Sequence, residues 1–328
     1  MKSIIVTGGA GFIGSALVGR LVAAGNKVKV IDSLWRGKLE NLLDEHGQPV
    51  IDLRTDFVQA DLCDYHNCLE HIRNAEIVYH LADVVGGIDF VFANESFVFR
   101  QNMLINSNVF RACALNGVTK CIYVGTACSY PQHIQNKEGL NTFKEEEAYP
   151  ANPESGYGWS KLMGEYEATL LAKQGAFKLG LLRLHNVYGP GATCDPRYSQ
   201  AIPALIRKAL IYPEQEFVVW GSGAQYRDFV YIDDVIEGLL SVADKGLDCG
   251  AIQLGSGLPT TIRQIAETVV ALSGKQISIR YDTSKPEGDF GRVAICAKAQ
   301  SILQWTPKVS LRTGLEATYK WIETHHTR

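Results

Sequence analysis

The sequence lacks disulfide spacing. Its eight cysteines, at positions 63, 68, 113, 121, 128, 194, 249 and 296, include no CxxC pair, and 328 residues can build a core without covalent staples. A reducing, cytoplasmic setting is the expectation. A charge excess is missing too: 32 Lys and Arg face 35 Asp and Glu, for a net −3. That leaves no field to hold nucleic acid or an anionic membrane, so any anionic ligand must be gripped locally. No apolar run approaches the ~18 residues of a membrane span, and the apolar stretch in MKSIIVTGG is too short for a signal core. Neither secretion nor membrane insertion is expected. Histidines do not occur at ligand spacing with cysteine or carboxylate, so no metal is expected. What is present is ordinary globular composition, 46% hydrophobic and 20% charged, enough for one large α/β domain or two smaller ones.

The opening residues read strand, glycine turn, helix, strand: SIIVTG, GAGFIG, SALVGRLVAAG, KVKVID. Apolar strand-like runs follow at 57–61, 75–82, 120–126 and 178–184, separated by helical patterns such as NMLINSNVFRACALNG. This alternation predicts an α/β fold with a doubly wound parallel sheet and right-handed crossovers. After Asn186 the texture changes, with Pro190, Gly191, Pro196, Pro203 and Pro213 punctuating loops suited to wrap a ligand. The expected organisation is a Rossmann domain over 1–185, with a return segment at about 226–258, and a smaller substrate-binding α/β domain over 186–328. The connection 131–153, carrying KEEEAYPANPE, is read as a solvated, mobile loop, with a lid as the alternative.

Gly8, Gly11 and Gly14 occupy the first strand-to-helix turn, where glycine allows backbone N–H groups and the helix N-terminus to approach a pyrophosphate. Phe12 and Ile13 lie between them. Asp32, at the end of the second strand, is placed to accept hydrogen bonds from ribose hydroxyls and to repel a 2′-phosphate, which favours NAD over NADP. Asp61 is read either as meeting the adenine edge or as a helix N-cap. In YGWSK, Tyr157 and Lys161 share one helix face, where the ammonium is expected to lower the phenol pKa toward the working range. Thr126 stands upstream at a strand end.

With these motifs in order, the chain resembles the extended short-chain dehydrogenase/reductase family of nucleotide-sugar epimerases, dehydratases and reductases. TGGAGFIG, HLAD, GTACSYP, YGWSK, RLHNVYGP, VVWGSGAQYRDFVYIDD and PEGDFGR carry the likeness along essentially the full length. The resemblance implies Thr126, Tyr157 and Lys161 as the redox trio. It adds Leu62, Leu81, Ala82 and Asn102 around the cofactor, and Asn186 to Pro190 along a substrate cleft. GTACSYP resembles the strings of the GDP-mannose 3,5-epimerase and GDP-L-fucose synthase branches, whose cysteine removes a proton beside a keto group. Cys128 falls on that position; a buried structural cysteine is the alternative.

Proton exchange with inversion also needs an acid on the opposite ring face. Where those branches carry a histidine and a lysine, this chain has Gln200 and Ala201, neither able to donate a proton. His133 and His185 are the remaining candidates. A 4,6-dehydratase is disfavoured because Ala127 and Cys128 replace the Asp-Glu pair that would follow Thr126. Arg227, Arg292 and Lys208 match diphosphate-gripping positions. Trp220 is read as packing near the nucleotide or within the core. The resulting expectation is an NAD-dependent epimerase of a nucleotide sugar, GDP-linked by preference, that oxidises C4 transiently and inverts C3, C5 or both. Polysaccharide biosynthesis would be its setting. A 4-epimerase or C4 dehydrogenase, and a non-catalytic NAD-binding sensor, are the alternatives. Helices at 102–116 and 158–174 carry apolar residues at helical spacing; the resemblance implies that they pair in a homodimer, and packing within the monomer is the alternative.

Overall fold

The computed structural model describes residues 2–136, 139–285 and 290–326, so the first four residues of PEGDFGR lie outside the described residues. Seven strands form one sheet: β1 Ser3–Thr7, β2 Lys27–Asp32, β3 Phe57–Gln59, β4 Ile77–His80, β5 Lys120–Thr126, β6 Lys178–Leu184 and β7 Ala251–Leu254. Their order is β7-β6-β5-β4-β1-β2-β3, with every pairing parallel. This is the doubly wound α/β arrangement that the alternating pattern predicts.

Both faces of the sheet are covered, so the strands read as unbroken apolar runs. Ile4 and Val6 of β1 join one cluster with Leu17 and Leu21 of helix α1 (Phe12–Ala23), while Ile5 between them joins the opposite cluster. Val109 and Phe110 of helix α2 (Glu95–Leu115) and Ala168 of helix α3 (Gly156–Lys173) fill that second face. The strand order reverses at β1, where Ile4 pairs with Val28 on one side and Ile77 on the other. A crevice opens above the C-terminal ends of β1 and β4 at such a switch point.

A second, four-stranded sheet takes strands from distant parts of the chain, in the order Thr260–Thr261, Tyr226–Arg227, Gly291–Ala294, Thr142–Phe143. Its last strand corrects the reading of 131–153 as a solvated loop. Val293 pairs with Thr142, Pro131 bridges Pro153, and Phe143 is buried with its ring stacked 5.1 Å from that of Tyr130. Charged residues made the segment look exposed, yet some of them are spent inside. The Glu145 carboxylate accepts from the Gln253 backbone N–H on β7 at 3.0 Å. The adjoining Glu165 and Arg183 are 4% and 3% exposed and pair at 2.7 Å, and Arg183 also donates to the Glu145 carbonyl at 2.6 Å. This ion pair ties α3, β6 and the 145 turn together. Losing either partner would strand a buried charge, at a cost of about 3–5 kcal/mol.

Candidate active site

The glycine turn builds the first part of the site. Gly8 adopts φ +69°, and a Cβ there would press on the Ala82 backbone; a Cβ on Gly14 would collide with the Gly8 carbonyl. Helix α1 begins at Gly11, which brings no capping side chain, so its first amides face the crevice. Asp32 is 7% exposed at the end of β2, its two oxygens accepting from Ala10 N at 3.0 Å and Leu34 N at 2.8 Å. Burial pushes its carboxyl above the usual range, against the pull of those two donors. Phe12, Ile13, Asp61, Leu62, Leu81 and Ala82 line the same crevice. Asp64, not Asp61, caps the following helix, Tyr65–His71. Asp61 instead accepts from Cys63 N at 2.9 Å and stays exposed at the rim.

Asn102 needs correction as a cofactor ligand. It is fully buried, and both ends of its amide are spent on the Val84 backbone, at 2.7 and 3.0 Å. Its task is to fix the 84 loop.

Beyond the glycine turn, β5 delivers Thr126 to the cleft, and its hydroxyl accepts from Cys128 N at 3.2 Å. Helix α3, capped by Ser155, starts against this turn. A Cβ on Gly158 would collide with the Cys128 carbonyl, so glycine there lets the helix seat with Tyr157 beside the thiol. Cys128 is half-buried and receives a hydrogen bond from Arg292 Nη2 at 3.4 Å. The proton chemistry departs from the expectation. Asp83, which the sequence reading passed over, accepts from the Tyr157 hydroxyl at 3.2 Å and pairs with Lys161 Nζ at 3.4 Å. Burial, followed by the Asp83 charge, holds the Tyr157 phenol well above its ordinary value rather than lowering it. The one available signal was a carboxylate ending HLAD, directly past a strand at the switch point.

A buried chain of hydrogen bonds ties the glycine turn to Lys161. Ala82 N donates to Thr7 Oγ1 at 3.3 Å, Thr7 Oγ1 is 2.8 Å from His80 Nδ1, and His80 Nε2 is 3.1 Å from Asn106 Oδ1. Asn106 Nδ2 donates to the Tyr123 hydroxyl, which donates to the Lys161 carbonyl, both at 3.2 Å. His80 is fully buried, and desolvation, aided by the Lys161 charge, depresses its pKa to about 3. The unfolded chain, near 6.5, therefore binds the extra proton first. Stability is complete above pH ~6.5 and falls as pH drops toward 3, by about 1.4 kcal/mol per unit from this group. Stability from denaturant unfolding, compared at pH 7 and pH 5, should show a pH slope shallower by about 0.7 of a proton in His80→Asn than in wild type. Equal slopes would show that His80 does not carry it.

The substrate side is a continuation of the same cleft, whose volume of about 1600 Å³ exceeds the ~300–1,000 Å³ of a single small-ligand site. Asn186, Lys208, Trp220, Arg227 and Arg292 all line it. Trp220 is 36% exposed at a strand end, which excludes the core reading. Lys208 donates to the Val218 carbonyl at 2.6 Å, and Arg227 Nη1 to the Tyr226 carbonyl at 2.8 Å. Of the run expected along the cleft, Asn186 and Val187 reach it, but Tyr188 is buried against Phe229 and Tyr231 instead.

Gln200 and Ala201 do line the cleft, at the start of helix Ala201–Ile211. His133 is exposed on helix Gln132–Gln135 and is not part of the cleft wall, which removes it as an acid. His185 is in the wall and buried, with Nε2 3.1 Å from Gln253 Oε1 and Nδ1 without a partner among the described residues. A proton on Nε2 leaves Nδ1 an acceptor, and burial lowers the pKa. His185 therefore presents no acidic proton. Among the described residues no group of three His, Cys, Asp or Glu is placed to hold a metal, all eight cysteines are free, and no helix is long and apolar enough to cross a membrane.

The uncapped helix end, the tight turn whose backbone contacts leave no room for a Cβ at Gly8 or Gly14, and the strand-end carboxylate fit an adenine dinucleotide, and together with the Tyr157–Lys161 pair they define a nicotinamide-dependent enzyme. The chain belongs to the NAD dependent epimerase/dehydratase family, whose model matches residues 4–255. Its cofactor is NAD, and the sensor alternative falls. The chain is 31% identical to GDP-mannose 3,5-epimerase 1 of Oryza sativa subsp. indica over 323 residues, 98% of this chain and 81% of that protein. GDP-L-fucose synthase 1 of Arabidopsis thaliana is 29% identical, over 97% of this chain and 92% of that one. The UDP-glucose 4-epimerase of Thermotoga maritima, solved with UDP-glucose, superposes with a TM-score of 0.86 at 27% identity, covering 98% of this chain and 99% of that one. That of Thermus thermophilus, solved with NAD, gives 0.84 at 25% identity, covering 98% and 99%.

Proposed function

We propose that this enzyme epimerises a nucleotide-linked hexose or heptose, GDP-linked by preference, by transient oxidation at C4 and inversion at C3, C5 or both. The observation that carries the reading is the half-buried Cys128 thiol, 3.4 Å from Arg292, on the cleft wall that also presents Tyr157 and Lys161. The likeness to GDP-mannose 3,5-epimerase supports the GDP link and the ring positions.

NAD bound at the glycine turn supplies reversible hydride acceptance at C4. Tyr157 takes the C4 hydroxyl proton. The C4 carbonyl acidifies the hydrogens on C3 and C5, and Cys128 removes one as a thiolate whose negative charge has the Arg292 guanidinium against it. Gln200 and Ala201 cannot return a proton to the opposite face, so we assign that step to water in the cleft. Arg227 and Lys208 would turn from their carbonyl partners to a diphosphate, and Trp220 would pack on the base.

A 4-epimerase is the second reading, favoured by the missing acid at Gln200 and Ala201 and by the solved UDP-glucose 4-epimerases. Turnover of GDP- and UDP-hexoses, read by proton NMR of the products, separates them. Conversion of a GDP-hexose at C3 or C5 is expected; interconversion of UDP-glucose and UDP-galactose alone would overturn the reading.

We further place the enzyme in the cytoplasm, in the supply of sugars for polysaccharide biosynthesis, with its cofactor domain at 1–185 plus about 226–258 and its substrate domain in the rest. The eight free thiols support a reducing compartment. A homodimer through α2 and α3 is supported by Phe97, Leu104, Tyr166 and Leu170, apolar side chains 38–56% exposed on those helices.

A further inference from the structure

A tyrosinate base requires a phenol that ionises easily, and Tyr157 is not in such surroundings. Asp83 faces it from the loop after β4, Cys128 from the turn after β5, Tyr123 from β5, and Lys161 from its own helix. The cation does not act on the phenol unopposed, because Lys161 Nζ pairs with the same Asp83 Oδ2 that accepts the phenol hydrogen bond. Lys161 itself is 2% exposed, and Asp83, at 18%, lines the cleft. The arrangement leaves the phenol donating to a carboxylate while its oxygen lone pairs remain available to a substrate hydroxyl.

We infer that Asp83 is the proton acceptor behind Tyr157, so that the phenol relays a proton and is never required to stand as a tyrosinate. This rests on the reading that Tyr157 serves the C4 hydroxyl. As hydride leaves C4, the C4 O–H bond breaks and its proton bonds to the Tyr157 oxygen. The original phenol proton crosses 3.2 Å to the Asp83 carboxylate. Lys161 stays protonated and holds the carboxylate in place. When hydride returns, both protons step back, so the cycle closes without a proton from bulk water. Asp83 never touches the sugar in this scheme; it positions the phenol and holds the displaced proton.

Asp83→Asn keeps the shape but cannot take the proton. In the variant holoenzyme the rate at pH 7 is expected to fall about 10²-fold and to recover as pH rises and the phenol ionises directly. Ultraviolet difference titration against Tyr157→Phe should show the Tyr157 phenol ionising at lower pH in Asp83→Asn than in the parent. A rate lowered equally at every pH, with the phenol titration unmoved, would mean that Asp83 only packs, and would overturn the relay. So would a wild-type profile. Should the variant not fold, the parent decides: ionisation of Tyr157 near neutral pH in the wild-type holoenzyme contradicts the relay, and ionisation above pH 10 is expected. Turnover surviving in Tyr157→Phe would instead remove the underlying reading, which keeps the two failures apart.

Discussion

Tyr157→Phe is expected to lower kcat by about 10²–10⁴-fold while leaving the fold and the NAD affinity in place. The phenol hydroxyl donates to Asp83, and the half-buried ring packs on the core cluster that covers the second face of the sheet, so removing the hydroxyl takes away chemistry without opening a cavity. The dinucleotide cradle, Gly8 to Gly14 with Asp32, is untouched. Steady-state kinetics alongside NAD binding by fluorescence checks this. A variant that keeps a tenth or more of the rate would show that another group takes the C4 proton.

Cys128→Ser separates the two kinds of epimerase. Serine preserves the turn, in which Cys128 N donates to Thr126 Oγ1, but its hydroxyl is a far weaker acid than a thiol and is not a base at neutral pH. Under the proton-exchange reading, C4 oxidation should survive as transient reduction of NAD in single-turnover absorbance. Inversion at C3 or C5, and the entry of solvent hydrogen there, should drop by about 10²–10⁴-fold. A 4-epimerase needs no thiol, so unchanged turnover would assign Cys128 a structural role only.

The parts of the molecule legible in the sequence were those set by local spacing. The glycine turn is legible because positive φ and close approach admit few residues, and Asp32 because it ends a strand that follows the turn directly. The parallel sheet shows itself in apolar runs such as IIV in β1, which two covered faces demand. What escaped was decided by contacts between distant residues. Asp83 lies 74 positions from Tyr157, and Arg292 lies 164 from Cys128. No periodicity records such pairs. Arg292 was expected to grip a diphosphate, and the structure also sets it on the thiol. The acidic 145 segment looked solvated because its charges are visible in the sequence, while the groups that hold it, the Gln253 backbone N–H on the Glu145 carboxylate and Arg183 on the Glu145 carbonyl, are not. Asn102 was assigned to the cofactor by its place in the chain, although its amide was needed to hold the Val84 loop.

The central claim is that a ketone made at C4 loosens hydrogens on its neighbours and that Cys128 exchanges them. Wild-type holoenzyme turning over a GDP-hexose in deuterium oxide tests it most directly, with product masses and proton spectra as the readout. Deuterium is expected at C3, C5 or both, with the original hydrogen retained at C4. A product inverted at C4 and free of deuterium would contradict it.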